Sequence, residues 1–426
     1  MAKLRILVVG SGGREHTLVW KIAQSALVEK LFCAPGNAGM TSLAELVPLK
    51  VEDITGIVNF CQREKIDLVV VGPELPLTLG LVDALEEKGI KAFGPKKKAA
   101  ELEGSKVFAK ELMSNYGIPT ARYGVFREAQ GARDFAREFA GPWVVKADGL
   151  AAGKGVLICS TLEEADAAIE NILIKKTFGL AGEKVIIEEF IKGEELSLMA
   201  FSDGHTVIPM VSAQDHKRVF DRDEGPNTGG MGAYSPAPVA TPELCKTIEE
   251  LVLQPTIKAM AEEGRIFKGV LYAGLMITAQ GPRVLEYNAR FGDPETQVIL
   301  PRLKSDLVEI ILAVCEERLA EQEIVWREEA CVSVVMSSQG YPDCYKTGLP
   351  IKGLTDVPDD VFIFHSGTAL QDGEIVTAGG RVLAVTALGD NLLQAVDSVY
   401  RAVKKIDFSG AHYRKDIAYR AFLRKK

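Results

Sequence analysis

Within residues 5–10, RILVVG, the run Ile6–Val9 is apolar without interruption and leads into the turn Gly10-Ser-Gly12-Gly13, and residues 67–73, DLVVVGP, repeat the arrangement. Strands without polar alternation need cover on both faces, which a parallel sheet flanked by helices provides. Helical patterns over about 13–24 and 79–88, with a further short run IKAFGP, supply the remaining parts. The first hundred or so residues therefore predict a small doubly wound α/β domain. Ligands of such a domain lie at the carboxyl ends of its strands. Three turns fall there, at 10–15, 35–39 and 72–74. The first has Glu15 where a dinucleotide fingerprint has its third glycine, which disfavours NAD(P). Backbone amides at a helix N-terminus suit a small anion such as a sugar phosphate, and a tight turn without any ligand is the plain alternative. His16, just inside the helix, reads as a packed or capping residue rather than a base.

A chain of 426 residues exceeds what one core supports. We expect an N-terminal doubly wound α/β domain over 1–101, a two-lobed core over 102–326 with a mobile lobe at about 120–192, and a small α+β domain over 327–426. Hydrophobic residues at 47% and charged residues at 25% are the values of a globular protein, not of a disordered or fibrous one. The net charge of -8 offers no basic face for nucleic acid. Seven cysteines, odd in number and without a CxxC pair, suit a reducing compartment, and Cys159 and Cys331 sit in apolar runs as small buried hydrophobes. The opening apolar run is too short for a signal sequence, and no uncharged run reaches the about 18 residues of a membrane span. A cytoplasmic protein without membrane partners is expected.

Beyond about residue 101 the pattern changes. A helix opens near Ser105 with Lys106 in its first turn. Strands at TARYGVF and around Trp143–Ser160 alternate with helices near 129–139 and 161–173. KVIIEEF, ELSLMAF and TVIPMV read as three successive strands of one antiparallel sheet. A long irregular loop over about 212–240 carries QDHKR and GPNTGGMG, and loops of that length in compact domains are usually functional or disordered. A helix over about 241–263, the strand VLYAGLMIT, the strand RVLEYNA and a helix from about Pro294 follow. The last segment, with CVSVVMSS, VFIFHSG and RVLAVTALG, carries little that resembles chemistry.

Side chains two apart on a strand share a face, so Glu286, Asn288 and Arg290 point the same way. A carboxylate, an amide oxygen and a guanidinium make a poor core but a good magnesium and phosphate site; a surface strand with a solvated salt bridge is the alternative. Lys146 at a strand end precedes a loop holding Gly153, Lys154 and Gly155, the cation and closable backbone that nucleotide phosphates need, although a bare glycine-rich hairpin would look the same. The order does not fit a P-loop, because a strand follows. Residues 188–195, an apolar strand turning abruptly acidic, fit either a hinge for a flat base or a solvated strand end.

Together these features resemble the ATP-grasp superfamily, whose two α+β lobes close on ATP and magnesium. GSGGREH, APGNAG, VGPE, LEGSK, VKADGLAAGKG, IEEF, QDHKR, GPNTGGMGAYSP, LYAGLMI and ExNxRFGDPETQ, in this order over essentially the full length, resemble the glycinamide ribonucleotide synthetase family. The resemblance implies ATP-dependent ligation of glycine to 5-phosphoribosylamine through glycyl phosphate, in purine biosynthesis. It implies metal ligation, Mg²⁺ or Mn²⁺, by Glu286 and Asn288, and contact of Arg290 with the transferring phosphate. ATP would be held by Lys106, Lys146, Gly153, Lys154, Gly155, the hinge Glu188, Glu189, Phe190 and Ile191, and the ribose-binding Glu195. Gly12, Gly13, Arg14, Glu15, Asn37 and Glu74 would meet the sugar phosphate, while Asp215, Lys217, Arg290, Asp293 and Glu295 line the glycine and amine side. Arg290, Lys146, Asp215 and Lys217 are the implied catalytic set. LYAGLMIT lacks the extra metal-binding carboxylate of many superfamily members, which leaves the number of ions open. Two other readings stay in view: a different carboxylate–amine ligase of purine metabolism, and a nucleotide-binding regulator without turnover. Only small-molecule partners are expected, for a monomer or small homo-oligomer.

Overall fold

The computed structural model describes residues 3–150 and 155–423. Its first sheet is parallel, in the order Glu45–Leu46, Val28–Pro35, Leu4–Gly10, Leu68–Val71, Lys91–Phe93. The order reverses between Leu4–Gly10 and Leu68–Val71, where Val9 pairs with Val71, so the turns at Gly10 and Gly72 flank the switch point. The expected helix over 13–24 spans Gly13–Ile22. The one expected over 79–88 instead begins at Glu74 and is cut into Glu74–Leu79 and Leu81–Glu86. Gly80, at φ 95°, takes the left-handed conformation that ends the first helix. A further helix, Ile54–Arg63, opens where the Asp53 side chain accepts from the Gly56 amide.

The antiparallel sheet Tyr123–Phe126, Val185–Glu189, Trp143–Ala147, Val156–Cys159 forms a separate lobe. Helices Ala129–Arg137 and Leu162–Ile169 cover it, and Trp143, Val145, Ile187, Ala132 and Ile169 make a core of its own. This corrects the expectation that KVIIEEF and ELSLMAF share a sheet. Val185–Glu189 pairs inside the lobe, whereas Glu194–Asp203 crosses to a second antiparallel sheet with Val207–Pro209, Lys268–Thr278 and Gly281–Asn288. Adjacency in sequence suggested a hairpin, but both hydrogen-bonding edges of Val185–Glu189 are already occupied, by Tyr123–Phe126 and Trp143–Ala147.

The segment over 212–240 is also more ordered than an irregular loop. Gln214–Asp215 and Gly232–Ser235 join Ala330–Ser337, Arg381–Gly389 and Val361–His365 in one five-stranded sheet, and Arg218–Phe220 pairs with Glu224–Asn227. Strands too short to show a period are invisible to pattern reading. The last sheet thus draws on residues from both sides of position 327. One apolar cluster joins Val8, Val70, Phe201, Val270, Ile311 and Val314, so the N-terminal sheet packs against the middle of the chain rather than hanging from it. Among the described residues no helix is long and apolar enough to cross a membrane. Cys159 and Cys331 are buried, as expected of small apolar residues.

Candidate active site

A cavity of about 640 Å³ opens between the separate lobe, the turn at Glu74 and the strand Gly281–Asn288. A register shift between Gly274 and Leu275 leaves Leu285 without a partner, a bulge just before Glu286. Beyond the bulge strict alternation resumes: Tyr287 and Ala289 are buried in the core, and Glu286 and Asn288 face the cavity. Arg290 lies past the strand end and returns to the same wall, its Nη2 donating to Asn288 Oδ1 at 3.1 Å.

Facing this strand is a cluster of lysines. Ser105 caps the helix Lys106–Asn115 by accepting from the Phe108 amide, and Lys106 and Lys110, four apart, share a face. Lys106 Nζ donates to Gly149 O at 2.7 Å. Burial lowers its pKa, against the pull of Glu286. Lys146 Nζ lies 2.8 Å from Glu188 Oε1, and Lys110 Nζ lies 2.9 Å from Glu188 Oε2. Burial alone would raise the Glu188 pKa, but Lys146 and Lys110 outweigh it and hold the carboxyl below its usual range. The Glu188 side chain, expected at the adenine hinge, is therefore turned into this buried triad. Behind it, Glu189 accepts from the Arg122 amide at 2.9 Å and the Phe190 amide donates to Pro142 O at 3.2 Å; neither these two nor Ile191 is among the cavity-lining residues. Gly155 lines the cavity, while Gly153 and Lys154 lie outside the described residues.

The Glu286 carboxylate is 39% exposed, and among the described residues the one cation paired with it is Lys217, at 3.9 Å. Lys217, Lys146, Lys106 and Arg290 overcome its burial and keep it ionised. One available carboxylate beside one amide oxygen fits Mg²⁺, which keeps waters and phosphate oxygens in most of its shell. Among the described residues no group of three or more His, Cys, Asp or Glu is arranged to hold a metal, so the protein supplies part of a shell and no cage.

The opposite wall is acidic. Glu295 accepts from Tyr272 OH at 2.6 Å and Ser197 Oγ at 3.0 Å. Lys217 Nζ pairs with Glu195 Oε2 at 3.2 Å, and that neighbour above all raises the lysine well above its ordinary value. Glu195, expected at a ribose, thus meets the cavity through Lys217. Asp215 is buried, and desolvation, reinforced by Glu295 and Glu195, pushes its pKa up to about 7 against Lys217 and Arg420. Arg290 bridges Glu103 at 2.8 Å and Glu74 at 3.2 Å. Asp293 pairs with Arg381 at 3.1 Å. Arg381 and Tyr341 come from the last segment, in which the sequence showed no chemistry, yet both line the cavity.

The N-terminal turn departs from expectation. Glu15 is buried, accepting from the Gly12 amide at 2.6 Å and from Arg14 Nε at 2.5 Å. A Cβ at Gly10 or Gly72 would lie 2.3 or 2.2 Å from its side chain, so both glycines exist to admit it. Asn37 is likewise consumed, donating to Ser11 O and His365 O at 2.8 Å each and accepting from the Gly39 amide. Gly13 packs so closely that a Cβ would lie 2.6 Å from Gln297 and Ser366. Of the residues assigned to the sugar phosphate, Arg14 and Glu74 line the cavity; Gly12, Gly13, Glu15 and Asn37 hold the turn in place behind it. His16 accepts from the His365 amide at 2.8 Å, and burial takes its pKa down to about 3, consistent with a packing residue.

Lys110, Glu103, Tyr272 and Arg381 escaped the sequence reading. For Lys110 a signal existed, its place one helical turn beyond Lys106. Glu103 and Tyr272 lie within the quoted stretches LEGSK and LYAGLMI, whereas Arg381 is brought near by the fold alone.

Comparison with known proteins extends over nearly the whole chain. Residues 4–103 match the N domain of phosphoribosylglycinamide synthetase, 104–296 its ATP-grasp (A) domain, and 331–420 its C domain. Phosphoribosylamine–glycine ligase of Halalkalibacterium halodurans is 51% identical over 418 residues, covering 98% of this chain and 97% of that protein. The trifunctional purine biosynthetic protein adenosine-3 of Gallus gallus is 52% identical over 422 residues, covering 98% of this chain and 42% of that protein. A crystal structure of phosphoribosylamine–glycine ligase from Thermotoga maritima superposes with a TM-score of 0.86 at 36% identity, covering 97% of this chain and 100% of that one. A biotin carboxylase domain from Hydrogenobacter thermophilus, in complex with MgADP, shares the fold at 18% identity and a TM-score of 0.77, covering 97% of this chain and 92% of that one. With three family domains in sequence order and half its residues shared with full-length relatives, the chain belongs to the phosphoribosylglycinamide synthetase family.

Proposed function

We propose that the chain is a carbon–nitrogen ligase that uses ATP to join glycine to 5-phosphoribosylamine, giving glycinamide ribonucleotide, ADP and phosphate in purine biosynthesis. The observation that carries this reading is the convergence of Lys106, Lys146, Lys217, Glu286, Asn288 and Arg290 on one cavity. Its walls supply cations for phosphates on one side and paired polar groups for small substrates on the other. We read the domains as 1–101, 102–326 and 327–426, with the lobe of about 120–192 closing over the nucleotide; the separate core of that lobe supports independent movement. Cytoplasmic placement accords with free thiols at all seven cysteines.

A glycine carboxylate oxygen attacks the γ-phosphorus of ATP, the bond to ADP breaks, and glycyl phosphate forms. The amine of phosphoribosylamine then attacks the acyl carbon, loses a proton, and phosphate leaves. Lys106, Lys146 and Arg290 offset the charge of the transferring group, and the closing lobe keeps water from the acyl phosphate. Glu286 and Asn288 would hold Mg²⁺ or Mn²⁺, which supplies further neutralisation of the phosphates. Asp215 and Lys217 orient the glycine and amine, with Asp293 and Glu295 behind them.

The test is ADP release in the presence of ATP with each substrate alone and with both. Release requiring both glycine and phosphoribosylamine is expected, and ¹⁸O from labelled glycine carboxylate should appear in phosphate. ADP release that ignores glycine would overturn the substrate assignment. Unlabelled phosphate would overturn the acyl phosphate.

A further inference from the structure

Glu188 is a single buried carboxylate held between two buried lysines. The two are not equivalent. Lys110 Nζ also donates to Thr120 Oγ1 at 2.7 Å, and Thr120 in turn donates to Val284 O at 2.7 Å. The Tyr123 ring centroid lies 5.9 Å from the same ammonium. Lys110 is thus anchored by groups besides Glu188. Lys146 has, apart from Glu188, a longer 3.3 Å bond to Leu285 O, on the strand that carries Glu286. Lys146 is the member of the trio free to turn towards a ligand.

A lone lysine at Glu188 could not leave without stranding a buried charge, and breaking a buried pair by removing one partner is strongly unfavourable. With two lysines present, one can leave and the other still compensates the carboxylate. We propose that Lys110 is a positioning residue that keeps Glu188 compensated so that Lys146 is released to the nucleotide phosphates. The inference rests on the ATP reading above. Lys110 borders the cavity, and the role assigned to it acts through Glu188. Burial pulls its pKa down to about 8 with Glu188 opposing, so carboxylate and ammonium hold each other charged.

Calorimetric titration of the full-length protein with ADP and, separately, adenosine tests this. In Lys110→Met, Lys146 becomes the sole counter-charge of Glu188 and stays there. ADP binding should weaken by about thirtyfold or more, while adenosine, which has no phosphates, should change by less than about twofold. Adding Glu188→Gln to Lys110→Met removes the charge that detains Lys146 and should restore about tenfold of the ADP affinity. Wild-type ADP affinity in Lys110→Met, an equal loss for ADP and adenosine, or no recovery in the double variant would each overturn the proposal. If Lys110→Met does not fold, Glu188→Gln is compared with the double variant. Without the carboxylate the second lysine has no task, so ADP affinities within about threefold are expected, and a further loss of about tenfold would overturn the role. Failure of the unmodified protein to bind ADP would instead remove the ATP reading itself.

Discussion

On one wall of the cavity Lys110 and Lys146 flank a single buried carboxylate, Glu188, with Lys106 nearby; on the other, Glu195 is matched by Lys217, Glu74 and Glu103 by Arg290, and Asp293 by Arg381. The first wall carries surplus positive charge, which suits a polyanion. The second carries more carboxyls than cations, so a polyanion gains little there and a small molecule with its own dipoles fits better. Asp215, like Glu295, is a buried carboxyl with no cation within ion-pair distance among the described residues, and burial pushes its pKa up to about 7. Glu286 stands where the walls meet, within 3.9 Å of Lys217 on one side and drawn upon by Lys106 and Lys146 on the other.

The severest break in this contrast is Glu286→Ala. Steady-state turnover at saturating Mg²⁺ should fall by about a hundredfold or more, the scale of losing one group that stabilises transition-state charge. The melting temperature should hold nearly constant, because the side chain is 39% exposed and has one long ion pair. Unchanged kinetics would remove the metal assignment.

A smaller effect sharpens the contrast by splitting the walls. Lys146→Met should weaken ADP binding by about thirtyfold or more, and Lys217→Met should raise the KM for glycine by about tenfold, each leaving the other quantity near wild type, since a hydrogen bond to a charged group is worth about 1.5–3 kcal/mol. Equal effects of both variants on ADP would show that the cavity acts as one electrostatic unit.

The smallest expected effect is on stability. The folded pKa of Asp215 is raised, so the carboxyl's contribution is fully present below its unfolded value of 3.8 and is lost as pH rises through about 7. Asp215→Asn has no such loss. Its melting temperature relative to the parent should therefore rise by a few degrees between acidic and neutral pH, measured in buffers of constant ionic strength. A pH-independent difference would place the Asp215 pKa near its ordinary value.

Much of the site was legible because it depends on local chemistry. Ser105 before Lys106 announced a capped helix, and the alternation of Glu286 with Asn288 held because the bulge at Leu285 lies upstream of both. Glu15 and Asn37 misled for the same reason that they attracted notice. Polar residues in glycine turns at strand ends look like ligand contacts, but their partners, Gly10 and Gly72 for one and Ser11 and His365 for the other, were not identifiable from the neighbouring residues. The assignment of Val185–Glu189 to a sheet failed similarly, since a strand does not carry the identity of its partners.

The amino-acid sequence by itself determined the parallel N-terminal sheet, the lysines at strand and helix ends, and the cavity-facing alternation of Glu286 and Asn288, because each follows from periodicity, capping or turn chemistry over a few residues. Only the tertiary structure decided that Glu188 bridges two lysines, that Glu15 seals its own turn, and that Arg381 reaches the cavity wall at Asp293 from the last segment of the chain. Those pairings turn on which buried charges meet. In a medium where an unpaired charge is costly, that is settled by the whole fold and not by any one segment of it.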